Sequence, residues 1–431
     1  MPALLPFRAW RYATDVVGAL ADVATPPYDV ISPERRRQLA ARSPHNLVHL
    51  TLPLSEGSRN PYEAAAHRFA GWRRSGALRQ DSVPTLTIHR QTYTIPDSSE
   101  TRTRVGVLGL LSLEAIPAGA VRPHERTLDA PREDRQRLIQ TVGAQLSPIF
   151  MLAADPEGSL STLLAGALPR ASAEEYVDDD GVRHVVEIVD DPDTLRAIDA
   201  LLTPRPLVIA DGHHRFESAR ACHRALSAAT GVSETARRAC GRVLVEVVSA
   251  ASPGLVILPT HRTLSQVDGF DPAVLVARLA GDAQVTPMPL QPGRSAATIE
   301  KQLVAAGPGT LGMVAGSPQR AWLIEWRDRG GNEPADPLDR LDVVFLHRHV
   351  LDECLGIDDE AIADGRHIGF IKSIPEAIEQ LDSGAVQAVF LLNSTPLADL
   401  EKVTEAGQRM PQKSTYFYPK VPAGLVVHAF E

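Results

Sequence analysis

The sequence predicts an α+β protein of mixed sheets with flanking helices, and three observations carry that reading. Apolar runs of strand length, such as "PLVIA", "RVLVEVVSA" and "AVQAVFLLNS", are interspersed with helical stretches but keep no strict βαβ rhythm. Clusters of Gly, Pro, Asp and Ser punctuate the ends of these runs. At 431 residues the chain exceeds one ordinary core, so two or three domains are expected. Divisions near 155 and 265 give an N-terminal α+β region (1–155), a middle region (156–265) and a C-terminal α+β region (266–431).

The elements follow in order. The first thirty or so residues are Pro-rich and read as irregular, ending in "TPPYDVIS". Ser32 ahead of Pro33 and Glu34 marks an N-cap with Pro in the first turn, opening a helix to about Arg42. A second helix runs from about Pro61 to Ser75 and stops at Gly76. "TLTIHRQTYTI" and "TRTRVGVLGLLSL" flank "PDSSE" and predict a β-hairpin. "HERTLDAPREDRQRLIQTV" is a loop feeding a charged helix that starts near Pro131, and "SPIFML" is a short buried strand. "EYVDDDGVRHVVEIVDD" predicts a second hairpin about an Asp-Gly turn, with a helix near Thr194 to Leu202 after it. The strand "PLVIA" leads through "DGHHR" to a helix from about Phe216 to Ala229. Beyond it come strands at "RVLVEVVSA", "LVILPTHRTL", "GTLGMVAG", "AWLIEW" and "AVQAVFLLNS". Helices are expected around Asp271–Leu279, Ala296–Ala306 and Asp342–Leu355, and the tail is a polar-aromatic loop ending in a strand.

Composition disfavours several functions. Net charge is −9, the pI is near 5.9, and no basic run is longer than Arg35-Arg36-Arg37. Phosphate contacts dominate nucleic-acid affinity, so nucleic acid is not an expected partner. Cys222, Cys240 and Cys354 are odd in number, widely spaced and without a CxxC pair. They predict neither a disulfide framework nor structural zinc. The N-terminus lacks the basic, apolar, small-residue order of a signal peptide, and no apolar run approaches the roughly 18 residues of a membrane span. A cytoplasmic protein without a membrane partner or a redox cofactor is expected. Nothing in the sequence specifies an oligomeric state.

The densest chemistry lies at "IADGHHRFESA". An apolar strand that hands a Gly-containing turn to a helix start presents backbone N–H groups and the positive end of the helix dipole, which favour an anion. Gly212 lets the backbone approach a phosphate, Arg215 supplies a planar fork, and His213 and His214 add donors. Asp211 repels phosphate, so it must orient a histidine, hold Mg²⁺ or bind a substrate amine. The plain alternative is that Asp211 caps the helix and the histidines satisfy buried backbone.

A second cluster, "RPHERTLDAPREDR", places His124, Glu125, Arg126 and Thr127 just before a helix. Glu125 is the candidate general base toward a hydroxyl, against a solvated loop of alternating charge. In the tail, "MPQKSTYFYPK" offers Lys413, Ser414, Thr415 and Lys420 as a lid or phosphate-contacting segment, or as a docking loop packed by aromatics. Asp29 in "PPYDVIS" and His261 in "LPTHRTL" either line a cleft or cap structure.

These segments, with "NLVHL", "RVGVLGL", "EDR", "SPIF" and "GLVVH", occur in order along the chain. Together they resemble, nearly full length, the bacterial and archaeal domain-of-unknown-function family catalogued as number ten-fifteen. DGHHR also resembles the signature of the ParB/sulfiredoxin superfamily, in which a Gly–polar–polar–Arg turn at a helix start binds nucleotide phosphates. The nearest variant in spelling is that of the free-serine kinases, with an HE pair upstream and DGHHR downstream. The resemblance implies a ParB/sulfiredoxin-like phosphate-binding core with additional α+β domains. It puts nucleotide phosphates at Gly212–Arg215 and a serine-activating base at Glu125. This chain departs from those kinases in being far longer, with a wider gap between HE and DGHHR. The DNA role of ParB does not carry over, because no helix-turn-helix signal or basic region is present.

The leading expectation is a phosphotransfer enzyme that uses a nucleotide or other phosphate-bearing ligand on a small hydroxylated metabolite. Serine or phosphoserine is the first candidate, in the kinase or the phosphatase direction. Catalysis falls to Glu125, Asp211 and His214, and phosphate binding to Gly212, His213, His214, Arg215 and Lys413. Substrate contacts fall to His124, Arg126, Thr127, Asp29 and His261, with Mg²⁺ accompanying the nucleotide. A non-catalytic nucleotide-binding regulator of ParB type is the second expectation. The third is a metal-dependent hydrolase with Asp211, His214, His124 and Glu125 as candidate ligands.

Overall fold

A computed structural model describes residues 3–114, 119–127, 129–166, 173–203, 205–289, 295–316, 318–327 and 336–431. Helices and mixed sheets run through all of it, as an α+β protein requires. The chain gathers into two compact units. The first comprises Met1–Pro123, Thr127–Val256 and Tyr418–Glu431, and the second His124–Arg126 and Ile257–Phe417.

The first unit is built on nine strands: β1 (Leu4–Leu5), β2 (Leu86–Thr94), β3 (Thr101–Ser112), β4 (Val121–Pro123), β5 (Ile149–Ala153), β6 (Glu174–Val177), β7 (Arg183–Val189), β8 (Leu207–Asp211) and β9 (Arg242–Ser249). Their order is β4-β8-β5-β9-β3-β2-β7-β6, with β1 on β3. The pairs β4–β8 and β5–β9 are parallel and the others antiparallel. The sequence divides the chain near 155, yet β5 hydrogen-bonds both β8 and β9, so residues on either side of 155 share one sheet. Strand pairing overrides a boundary read from loosened composition.

Strand alternation sorts the side chains of this sheet. Leu86 and Ile88 of β2 enter a core with Val107, Ile149, Met151, Val245 and Phe216, while His89 and Gln91 point to the other face. That second face carries a buried polar row. Glu246 Oε2 lies 3.0 Å from His89 Nδ1, His89 Nε2 lies 2.9 Å from His184 Nδ1, and His184 Nε2 lies 3.0 Å from Asp178 Oδ2. Glu246 reaches His89 across β3 only because Gly106 intervenes. A Cβ there would sit 2.6 Å from Glu246 Oε1.

The second unit holds six antiparallel strands: β10 (His261–Leu264), β11 (Ala283–Met288), β12 (Thr310–Ala315), β13 (Arg320–Trp326), β14 (Ile368–Ile371) and β15 (Ala388–Leu391), in the order β11-β13-β12-β15-β10-β14. Its core joins Ile299, Leu303, Val314, Ile374, Ile378 and Val389.

Many predicted elements form where expected. The helix Pro33–Arg42 opens on Ser32, whose hydroxyl accepts from Arg35 N–H, and Pro61–Arg74 opens on an Asn60–Glu63 capping box. The helix expected over 342–355 forms as Asp342–Phe345 and continues with π-type bonding through Leu346–Cys354. The sequence reading passes over Ser159–Gly166, β14, and the helices Ile374–Asp382 and Leu397–Glu405. For Ile374–Asp382 the signal was present, since Ser373 accepts from Glu376 N–H and Pro occupies the first turn. All three cysteines are free. No helix among the described residues is long and apolar enough to cross a membrane.

Candidate functional site

Strand β8 ends at Asp211, and the helix α1 (His213–Ala228) begins immediately after Gly212. The sequence places the helix start near Phe216. Because it comes at His213, both histidines and Arg215 lie in the first helical turn. Gly212 is the N-cap in the left-handed region, φ 93°. Glycine is required here twice. A side chain would be strained at this φ, and its Cβ would lie 2.9 Å from Arg215 Nε.

The Asp211 carboxylate is engaged by two cations. Oδ2 accepts from Arg215 Nη2, one helical turn on, and Oδ1 pairs with Lys420 Nζ from the returning tail. Burial alone would raise the Asp211 pKa. Lys420 and Arg215, with His213 beside them, reverse this and hold it well below the usual carboxylate range. Both carboxylate oxygens thus have a cationic partner. Arg215 is likewise committed, since Nη1 donates to the Pro148 carbonyl, so its fork is not presented whole to a phosphate. Its i,i+4 spacing folds it back over the strand end.

Lys420 is held from behind by a fully buried arginine. Arg104 donates to Gln91 Oε1 and to the carbonyls of Tyr418 and Pro419, and Gln91 Nε2 donates to the Lys420 carbonyl at 3.0 Å. The sequence offers Lys420 as part of a lid, phosphate-contacting or docking segment and gives no role to Arg104. An alternating strand position with a buried charge is the one signal that marked it. Asp29 is exposed, whereas its neighbour Tyr28 stacks under the Arg135 guanidinium at 4.3 Å.

Strand β4 runs parallel to β8 with Pro123 opposite Ile209. The strands that precede His124 and Asp211 thus leave the first unit's sheet at the same end.

In the second unit the HE pair is docked on the tail loop. Met410 N–H donates to the His124 carbonyl at 2.7 Å, Lys413 N–H donates to Glu125 Oε1 at 3.0 Å, and His124 Nε2 lies 2.9 Å from Thr415 Oγ1. Arg126 is exposed and lies 3.6 Å from Asp359. Thr127, where the chain re-enters the first unit, is half-buried. His261, expected as a substrate contact, is held by the backbone. It is buried, Nδ1 accepts from Leu392 N–H at 3.1 Å, and burial pushes its pKa down to about 4. The adjacent Arg262 takes the position of interest. Its fully buried guanidinium donates to the carbonyls of Thr260, Gln412 and Lys413 and lines a narrow polar cleft with Thr260, Arg340, Asp342, Lys413 and Ser414. Lys413, at φ 56°, belongs to that cleft.

The family described as protein of unknown function (DUF1015) matches residues 4–344. The chain belongs to this family. The DUF1015 region spans the whole polar row, the glycine turn and the HE pair, while the tail that supplies Lys413 and Lys420 lies beyond it. Among solved structures, a free serine kinase variant in complex with AMP is similar at 14% identity, covering 72% of this chain and 87% of that one, with a TM-score of 0.36. A conserved hypothetical protein from Pyrococcus furiosus is similar at 13% identity, over 74% of this chain and 94% of that one, with a TM-score of 0.37. C-terminally truncated SbnI from Staphylococcus aureus is similar at 12% identity, over 74% and 87%, with a TM-score of 0.35. No curated protein matches the chain. At these scores the neighbours bring no residue role to this DUF1015 member.

Proposed function

We propose that this protein is a phosphotransfer enzyme that takes a nucleotide or another phosphate-bearing ligand at the Gly212 turn and acts on a small hydroxylated metabolite, serine or phosphoserine first. The observation that carries the reading is the charge balance of the turn. Asp211 is matched by two cations, Lys420 and Arg215, at the start of a 16-residue helix. The acid that would repel phosphate is thereby over-compensated, and the helix dipole adds to the same sign. The lysine role expected of Lys413 is filled at the turn by Lys420. Mg²⁺ would arrive on the nucleotide's own phosphate oxygens, since the turn's acid is already engaged.

In this reading Glu125 accepts the proton of the acceptor hydroxyl, and Arg126 and Thr127 flank the acceptor. The cations and backbone N–H groups of the turn stabilise charge on the transferring phosphoryl group.

The second reading, a nucleotide-binding regulator without turnover, is favoured by the bond from Lys413 N–H to Glu125, which is a structural use for that carboxylate. Glu125→Gln separates the two, because glutamine keeps the acceptor oxygen and loses the basicity. An enzyme should lose about 100-fold or more in rate with nucleotide affinity retained, whereas a regulator should not change. Turnover is read by phosphorus NMR with ATP, ADP or pyrophosphate plus serine, and with phosphoserine alone. No conversion in any combination would sink the enzymatic reading.

A further inference from the structure

The first unit's sheet sets two acids and two imidazoles in one row, and three of the four are fully buried. The side chains of Glu246, His89 and His184 are exposed by 1% or less, and Asp178 by 33%. Both Glu246 oxygens face His89 Nδ1, at 3.0 and 3.2 Å, and among the described residues no other group hydrogen-bonds that carboxylate. The two rings lie within 5° of parallel with centroids 5.2 Å apart. With His89 Nε2 only 2.9 Å from His184 Nδ1, that separation sets the rings edge to edge, nitrogen to nitrogen. Asp178 is pinned at the far end. Its Oδ1 accepts from the Asp180 and Val182 N–H groups at 3.0 and 2.9 Å, while Oδ2 faces His184 Nε2.

Each contact of the row needs a hydrogen, because two lone pairs facing one another at such a distance repel. Neutral imidazoles bring one N–H each, and ionised carboxylates bring none. Asp178 already accepts two backbone N–H bonds and is partly exposed, so it is the ionised end. His184 Nε2–H donates to it, which leaves Nδ1 to accept from His89 Nε2–H. Both rings have then spent their hydrogens, and the Glu246–His89 contact still lacks one. We propose that this contact holds a proton at neutral pH, one more than the four groups would carry apart, and that its loss in alkali makes the row a pH-sensitive element of the fold. The proton makes Glu246 a carboxylic acid or His89 an imidazolium, and the row carries the same single negative charge either way. Without it, Glu246 is a buried carboxylate with no donor.

The surroundings agree with that count. Burial pushes the His184 pKa down against the bond to Asp178, which keeps this ring neutral. Tyr176 of β6 stacks on His184 at 4.4 Å, and burial, with Asp178 and Glu246 next, pushes its hydroxyl pKa well up, so it adds no charge. Arg104 of β3 is the buried cation within reach of Glu246 and balances the row's negative charge. Around the exposed end, Tyr418 feels Asp180 and Asp178, and Asp179 is paired with Arg35 and Arg42. None of this depends on what the Gly212 turn binds.

Glu246→Gln tests the proposal, because an amide N–H supplies covalently the hydrogen that the contact needs. Urea unfolding of the full chain and of this variant is compared between about pH 7 and 8.5, above the ordinary histidine range and no higher than the ordinary cysteine value. The buried Cys222 thiol, pushed up to about 12, adds its own alkali sensitivity only above that window. In the window the folded row holds a proton that the unfolded chain has released. Its stabilisation is therefore full near pH 6.5 and is lost as pH rises toward the point of release. The unfolding constant should rise about tenfold more per pH unit in the unaltered protein than in Glu246→Gln. Equal pH dependence of the two overturns the proposal. If Glu246→Gln does not fold, ¹⁵N spectra of the unaltered protein at pH 7.5 decide, with the two rings recognised by coupling between their nitrogens across the shared hydrogen. His184 Nε2 should be protonated, and His89 Nδ1 should be protonated or hydrogen-bonded. An unprotonated His184 Nε2, or a His89 Nδ1 without a hydrogen bond, overturns the proposal.

Discussion

The two units bury charge in opposite ways. In the first, Asp211 is closed between Lys420 and Arg215, and the polar row sets two imidazoles, His89 and His184, between the carboxylates of Glu246 and Asp178. In the second, Arg262 is fully buried against three carbonyls, and Nε has no hydrogen-bond partner among the described residues. Burial pushes its pKa down to about 9, with Glu125 nearby working against that. The first arrangement strands a charge when one partner is removed. The second loses only hydrogen bonds to backbone dipoles, so the difference is one of counter-charge and not of burial.

Acid should strain both units first, and alike. His261 of the second unit and His428 of the first are buried, and burial pushes each pKa down to about 4. The folded pKa lies below the unfolded value near 6.5, so their stabilisation is whole above about pH 6.5 and is lost as pH falls toward 4. At most roughly 3 kcal/mol is at stake per site. Asp211 has the opposite sign of charge and a depressed pKa, so its contribution holds through that window and starts to fade only below about pH 4. Hydrogen exchange read by mass spectrometry resolves the units. Loss of protection in one unit alone at pH 5 would break the comparison.

Lys420→Met should cost about 3–5 kcal/mol in urea unfolding, the usual effect of removing one partner of a buried ion pair. Adding Asp211→Asn should recover part of that loss, as coupled neighbours do. Arg262→Met should cost less than Lys420→Met, because it strands no hydrogen-bonded carboxylate. The reverse ranking would show that the carbonyl cage around Arg262 outweighs the ion pairs around Asp211.

The smallest contrast uses glycines. Gly106→Ala puts a methyl 2.6 Å from Glu246 Oε1, within a buried hydrogen-bonded row that has little room to move, and should cost about 1–3 kcal/mol. Gly369→Ala in β14, an edge strand, meets the Thr263 side chain but interrupts no such row, and should cost less. Melting temperatures of the two variants check the order, and equal losses would mean that the polar row is no stiffer than an ordinary edge.

Local signals were legible wherever one residue settles one bond. Ser32 caps its helix as its type predicts, and the Asp-Gly turn after Asp178 joins β6 to β7. Gly212 was legible as a backbone requirement at a strand-to-helix switch. The surroundings of His261 and Asp29 were not legible, because a charged or polar residue beside a strand reads the same whether it faces a cleft or a backbone N–H. Lys420 could not be assigned to Asp211, since nothing local records which carboxylate a lysine 209 residues away will meet.

What the sequence determined by itself was the α+β class, the apolar and charged periods of its elements, and the residues with chemistry to offer. Those depend on side-chain type and spacing of a few residues. What the tertiary structure decided was the pairing of charges. Strand order set β4 beside β8, the returning tail brought Lys420 to Asp211, and Gly106 let Glu246 reach His89. The physical reason is that an ion pair depends on distance in space, and only the closed sheet and the returning tail fix that distance.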